Sequence, residues 1–207
     1  NIHAKIQLDN EYVKLFKKAY PKTSKPEAWQ IQNAIASYVR SLNAFDSRFD
    51  EYMRGNKNIL NNEEIEGMNL FMGKAKCATC HFTPLFNGTV PPSYSKTEHE
   101  VIGTPYEASG KTLSPDKGRY LYNKMPQLVG AFKTPTVRNA AVTAPYMHNG
   151  VFKTLEEVVS FYNKGGGQGL GYEVENQTLP FDKLNLTVKE EKALVAFMKT
   201  LTDKKYQ

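Results

Sequence analysis

Cys77-Ala78-Thr79-Cys80-His81 is the stretch whose reading decides the fold. It is a complete C-x-x-C-H and uses both cysteines of the chain. Two thiols at this spacing near a helix start can each add across one vinyl group of a haem. The next residue, His81, then lies under the iron as axial ligand. A structural zinc site wants a full tetrahedral set, usually with a second Cys pair or a Cys–His pair. The remaining histidines, His3, His99 and His148, stand at unrelated spacings. A thioredoxin-type pair needs a surrounding βαβ pattern, and the flanking sequence has none. The motif therefore predicts a covalent haem c on Cys77 and Cys80, with His81 as proximal iron ligand.

Upstream of the motif the chain reads helical. Asp9 to Tyr20 carries Tyr12, Val13, Leu15, Phe16 and Ala19 at a helix period, and Pro21 stops it. Ser24 reads as the N-cap of a long helix, with Pro26 and Glu27 in its first turn. That helix runs through Trp29, Ile31, Ala34, Ile35, Tyr38, Val39 and Leu42. Phe45 to Met53 continues as a short helix or turn, and Gly55-Asn56-Lys57-Asn58 as a loop. Asn61 or Asn62 then caps a helix through Ile65, Met68, Leu70 and Phe71, which delivers the chain to Cys77.

Downstream the composition changes. Phe82 to Tyr106 is rich in Pro, Gly, Ser and Thr and predicts a long loop, for which wrapping a haem edge is a use. Ser114 to Asn123 reads as a short helix, and Phe132 to Gly150 as irregular chain. Thr154-Leu155-Glu156-Glu157 is a capping box that opens the helix of Val158, Val159, Phe161 and Tyr162. Gly165-Gly166-Gly167 ends that helix and starts a flexible loop. Thr187-Val188-Lys189-Glu190 opens the last helix, with Leu194, Val195, Phe197, Met198 and Leu201 on its apolar face. Convincing strands are nearly absent. The expected fold is all-α, a c-type cytochrome-like haem domain with long ligand-wrapping loops.

The bulk numbers agree with a globular chain. It has 207 residues, 40% hydrophobic and 23% charged, with a net charge of +6. No apolar run approaches the roughly 18 residues of a membrane span. No basic run is interleaved with aromatics, so nucleic acid is not an expected partner. The positive charge comes mostly from dispersed Lys, read as solvated helix faces, with a docking surface for an acidic electron donor as the sharper alternative. The chain opens on Asn1-Ile2-His3 without a signal peptide. Because c-type haem is attached outside the energised membrane, a mature or truncated periplasmic product is expected.

The second axial position decides between electron transfer and chemistry on a bound substrate. Met125, Met147, His148, Tyr162 and Met198 are the downstream candidates. Met198 fits the apolar face of the last helix and reads as core. Tyr162 lies on a capped helix, where a buried aromatic is usually packing.

Phe132-Lys133-Thr134-Pro135-Thr136-Val137-Arg138-Asn139-Ala140-Ala141-Val142-Thr143-Ala144-Pro145-Tyr146-Met147-His148-Asn149-Gly150 resembles the signature block of bacterial dihaem cytochrome c peroxidases and their MauG-type relatives. So do Phe152-Lys153-Thr154-Leu155-Glu156-Glu157, Phe16 to Pro21, Phe49-Asp50-Glu51-Tyr52, and Gly67 through His81. The resemblance covers nearly the whole chain. The family has two haem domains, each with its own C-x-x-C-H, and the motif here matches the second. Residues 1–60 would then be helices that pack with an N-terminal peroxidatic haem domain, and 61–207 the C-terminal haem domain. The tryptophan that the family places between its haems is not matched by Trp29.

In the family the distal ligand of this haem falls fourteen positions after the His of the signature block, which is 162 here. MauG-type members carry Tyr there, so the resemblance favours Tyr162 over Met147 or Met125, with an open site as a further alternative. A phenolate favours ferric iron and lowers the potential, whereas a thioether raises it. The resemblance also implies calcium between the domains, partly on the carbonyls of Thr143 and Pro145. Arg138 is a candidate partner for a haem propionate, against the reading of a surface salt bridge or a helix N-terminal residue. The implied activity is peroxide reduction with electrons from a small cytochrome or cupredoxin, or MauG-type oxidation of a partner, with a second haem c in the complete protein. No peroxide-cleaving acid–base pocket is identified here, so the chain alone is expected to be inactive. Family members often pair as dimers, which extends here to a homodimer. Two other functions compete. One is a monohaem c-type cytochrome, and the other a haem-free protein with a Cys77–Cys80 disulfide.

Overall fold

The computed structural model describes residues 2–42, 45–108, 112–179 and 182–207. The chain divides into two compact units, Asn1–Phe45 and Asp46–Gln207.

The first unit holds helices α1 (Ile2–Leu8), α2 (Asn10–Ala19) and α3 (Ala28–Ser41). Asp9 caps α2 by accepting from the backbone N–H groups of Glu11 and Tyr12. Helix α3 opens at Glu27, not at Ser24. The ring of Pro26 disfavours helical backbone at Lys25, which a cap at Ser24 would require to be helical. Glu27 and Gln30 cap each other reciprocally, and the buried Gln30 amide donates to Thr23 Oγ1 at 2.8 Å. Trp29, Ile35, Tyr38 and Val39 remain exposed along α3.

The second unit holds α4 (Arg48–Met53), α5 (Asn62–Met72), α6 (Leu155–Asn163), α7 (Gly166–Gly169) and α8 (Val188–Thr200). The division therefore falls before α4 and not at residue 60. Phe49 explains why: it packs edge-on against Phe86 at 5.1 Å and Phe197 at 5.8 Å, inside the main core. Arg48 also forks onto Glu64 at 2.5 and 2.8 Å, clipping α4 to the start of α5. Asn61, Thr154 and Thr187 cap α5, α6 and α8 through complete capping boxes.

Helices α5 and α8 cross at Gly67, and this crossing carries the core. Phe71, Phe86 and Phe197 meet there with Leu194 and Leu201, all nearly inaccessible. Among the described residues no helix is long and apolar enough to cross a membrane.

The long loop is not wholly irregular. Strands β1 (His99–Val101) and β2 (Ala131–Lys133) pair antiparallel, with Glu100 opposite Phe132. Three residues are too few to show alternation in a sequence. Ser114 to Asn123 forms only a tight turn at Arg119–Leu121. The Asp116 carboxylate takes the Gly118 N–H at 2.8 Å, a local bond that competes with helix formation. The glycine run is no flexible loop either. A Cβ on Gly167 would lie 2.6 Å from Gly103 Cα, so the glycines serve a close backbone approach.

Candidate haem-attachment site

The attachment motif is a single tight turn hung from the end of α5. The Ala75 N–H returns to Leu70 O at 2.9 Å, and Lys76 then adopts a left-handed backbone that starts the turn Cys77–Thr79. The N–H groups of Cys80 and His81 both donate to Cys77 O, at 3.3 and 3.0 Å. Both thiols are free and partly buried.

His81 is hydrogen-bonded to two backbone carbonyls. Its Nδ1 lies 3.2 Å from Phe86 O and 3.1 Å from Pro135 O. Two carbonyl acceptors require Nδ1 to carry the proton, which leaves the Nε2 lone pair for a metal. Burial pushes the imidazole pKa down against these two bonds, keeping the ring neutral.

The signature block builds this support. Thr136 Oγ1 donates to Leu85 O at 2.7 Å, and Val137 N–H to Phe86 O at 2.9 Å. Arg138 Nε donates to Pro84 O at 2.9 Å. Three consecutive residues thus pin Pro84–Phe86, whose last carbonyl orients His81. The guanidinium expected on a haem propionate is forked instead onto Asp50, at 2.9 and 2.8 Å, with both side chains buried. A buried guanidinium requires an anion, and Asp50 supplies it from α4.

Burial pushes the Cys77 thiol up to about 12. Cys80 is raised too, by burial first and then by the Glu100 and Glu98 carboxylates. Both thiols stay protonated, unlike a reactive redox pair, whose pKa is depressed. Tyr162, on α6, comes to the same place. Its hydroxyl is pushed up by burial first and then by its neighbours Cys77, Cys80 and Glu100, so it lies within electrostatic reach of the attachment turn. The donor set fits a c-type haem: two free thiols, a neutral imidazole with its outer nitrogen tied, and a phenol beside them.

The other candidates lie differently. Met147 is partly buried in the left-handed turn that leads to Gly150. Met125 is 51% exposed, and Met198 is core. The His148 ring stacks on Phe132 at 3.7 Å, and its Nε2 sits 2.9 Å from Ser114 Oγ. Thr143 and Pro145 are exposed on the stretch after the turn Ala140–Val142. Sequence reasoning missed Glu98 and Glu100, although two carboxylates two positions apart after a loop are a signal for one strand face. It missed Asp50 as well, within a segment already quoted for its resemblance.

The family model for di-haem cytochrome c peroxidase matches residues 1–58. Cytochrome-c peroxidase IdrP1 of Pseudomonas sp. (strain SCT) is 38% identical over 211 residues, covering 93% of this chain and 54% of that protein. Methylamine utilization protein MauG of Methylorubrum extorquens is 31% identical, over 92% of this chain and 49% of that protein. A solved MauG-like protein associated with microbial copper homeostasis superposes with a TM-score of 0.71 at 30% identity, over 98% of this chain and 61% of that one. The chain spans about half the length of the curated relatives it matches.

Proposed function

We propose that this chain, which belongs to the dihaem cytochrome c peroxidase and MauG-type family, is the C-terminal, electron-transfer haem portion of a two-haem periplasmic oxidoreductase. The complete protein would reduce hydrogen peroxide with electrons from a small redox protein, or oxidise a partner in the MauG manner. The observation that carries the reading is the His81 ring, tied at Nδ1 by two carbonyls beside two free thiols and a phenol.

Cys77 and Cys80 would hold the haem through thioether bonds, and His81 Nε2 and Tyr162 Oη would be the residues that ligate its iron. Bound there, a haem supplies one-electron chemistry. The chain's own part is orientation and charge. The Phe86 and Pro135 carbonyls fix the imidazole tautomer and ring plane. The phenol offers a hard oxygen that favours oxidised iron. The exposed apolar side chains of α3 support a further part of the reading, that the first unit is covered by the other haem domain. The reading extends to calcium, partly on the carbonyls of Thr143 and Pro145, and to a homodimer.

Two measurements test this. Pyridine haemochrome against protein mass, on the full-length product of its natural host, should give two c-type haems per polypeptide. A single haem would leave an electron-transfer cytochrome and remove the peroxidase assignment. Tyr162→Phe should change the ferric optical and EPR spectra and raise the potential of this haem. Unchanged spectra would remove Tyr162 from the iron.

A further inference from the structure

Beside the attachment turn lies a pair of carboxylates with no place in the reading so far. The side-chain oxygens of Glu98 and Glu100 and the sulfur of Cys80 lie within 4.8 Å of one another. The pair is fixed by backbone. Glu98 donates its N–H to Gly88 O at 2.8 Å, and its own carbonyl accepts from Thr134 N–H at 3.2 Å. Two residues on, Glu100 is held in the β1–β2 ladder opposite Phe132. The period of two places both side chains on one face, toward Cys80. Both are partly buried, and among the described residues no ion pair draws on either.

We propose that Glu98 and Glu100 form a fixed anionic wall against the haem edge at Cys80, which holds the potential of this haem down. The inference rests on the haem-attachment reading and deepens it. A negative charge in a partly buried place stabilises ferric over ferrous haem, because the ferric centre carries one more positive charge. Glu100 is the more rigidly placed of the two. It is the member held in the β1–β2 ladder, and its charge, after burial, also raises Glu98. The wall and the Tyr162 oxygen act in the same direction, so this haem is built to rest oxidised. The two glutamates are positioning residues, acting through the haem's charge and touching no substrate.

The test is spectroelectrochemical titration of the haem-loaded full-length protein, with haem content and ferric spectrum recorded beside it. In Glu100→Gln the ferrous-to-ferric ratio at a fixed poise should rise about tenfold, which is about 59 mV upward for a one-electron couple. Glu98→Gln should move it the same way by less, and Glu100→Asp should restore most of the wild-type value. Glu175→Gln, on an exposed carboxylate, should leave it unmoved. An unshifted potential in Glu100→Gln with wild-type haem content and spectrum overturns the inference and leaves the attachment reading standing. An equal rise in Glu175→Gln overturns it too, since the effect would then be bulk charge. If Glu100→Gln fails to load haem, Glu98→Gln decides, and no shift there is fatal. Protein without covalent haem at Cys77 and Cys80 overturns both readings.

Discussion

Gly67→Val is expected to cost about 3 kcal/mol or more of folding stability, read as a lowered urea midpoint by far-ultraviolet circular dichroism. A Cβ at position 67 would lie 1.9 Å from Ala193 O and 2.9 Å from Phe197 Cβ. Neither neighbour can yield. The oxygen belongs to the α8 backbone, and Phe197 is fully buried among Phe49, Phe71 and Phe86. The helices must therefore move apart, and a core packed to crystal-like density loses contacts along the whole crossing. Gly67→Ala already places the clashing atom and should show the same sign with a smaller loss. The site would suffer with the fold, because α5 leads within a few residues to Cys77, and haem incorporation should fall in parallel. A midpoint within about 0.5 kcal/mol of wild type in both variants would mean that α5 and α8 do not cross at this glycine.

The parts of this architecture that were legible in the sequence are those fixed by local chemistry. Thioether attachment demands two cysteines at one spacing with His81 next, so the motif declares itself. Asn61, Thr154 and Thr187 each close a hydrogen-bonded ring with a residue three positions on, and the helices begin where those boxes stand. The parts that were not legible depend on distant pieces of chain. Phe86 and Pro135 hold His81 through backbone carbonyls, and every residue type has a carbonyl. The β1–β2 ladder is short enough that pairing across the loop, not alternation, defines it. The glycine run looked like a flexible linker because nothing in it shows that Gly103 passes close by. The resemblance supplied Tyr162, which its helical setting alone would have left as packing. It could not supply the Asp50 fork on Arg138, because the partners stand 88 positions apart and each has a plainer reading alone.

Arg138→Leu is expected to cost about 3–5 kcal/mol at neutral pH, because it leaves the buried Asp50 carboxylate without its counter-ion. Burial alone would raise the pKa of Asp50. Hydrogen bonds from Arg138 and Ser47, with the Arg138 charge, outweigh that and hold it below the usual carboxylate range. A carboxyl lowered on folding gives its full stabilisation above its unfolded pKa of about 3.9, and loses it as pH falls through the lower folded value. In Arg138→Leu the sign reverses. Burial then dominates and Asp50 is raised, so the folded state is penalised wherever the unfolded carboxyl is ionised. The deficit of the variant should therefore be greatest near neutral pH and shrink on acidification. Urea midpoints taken between about pH 7 and about pH 3 would check this, and a deficit that does not vary with pH would remove Asp50 as its cause. Adding Asp50→Asn should recover part of the loss, because no buried charge then remains to be compensated. The variant should also reach the haem site. Arg138 Nε holds Pro84, and two residues later Phe86 O holds His81. With that tie cut, the segment whose Phe86 carbonyl orients the imidazole keeps only its Thr136 and Val137 bonds, and a mixture of ferric EPR species should replace a single one even where the chain still folds. That spectral mixture separates a support for the axial ligand from a pair that only stabilises the core.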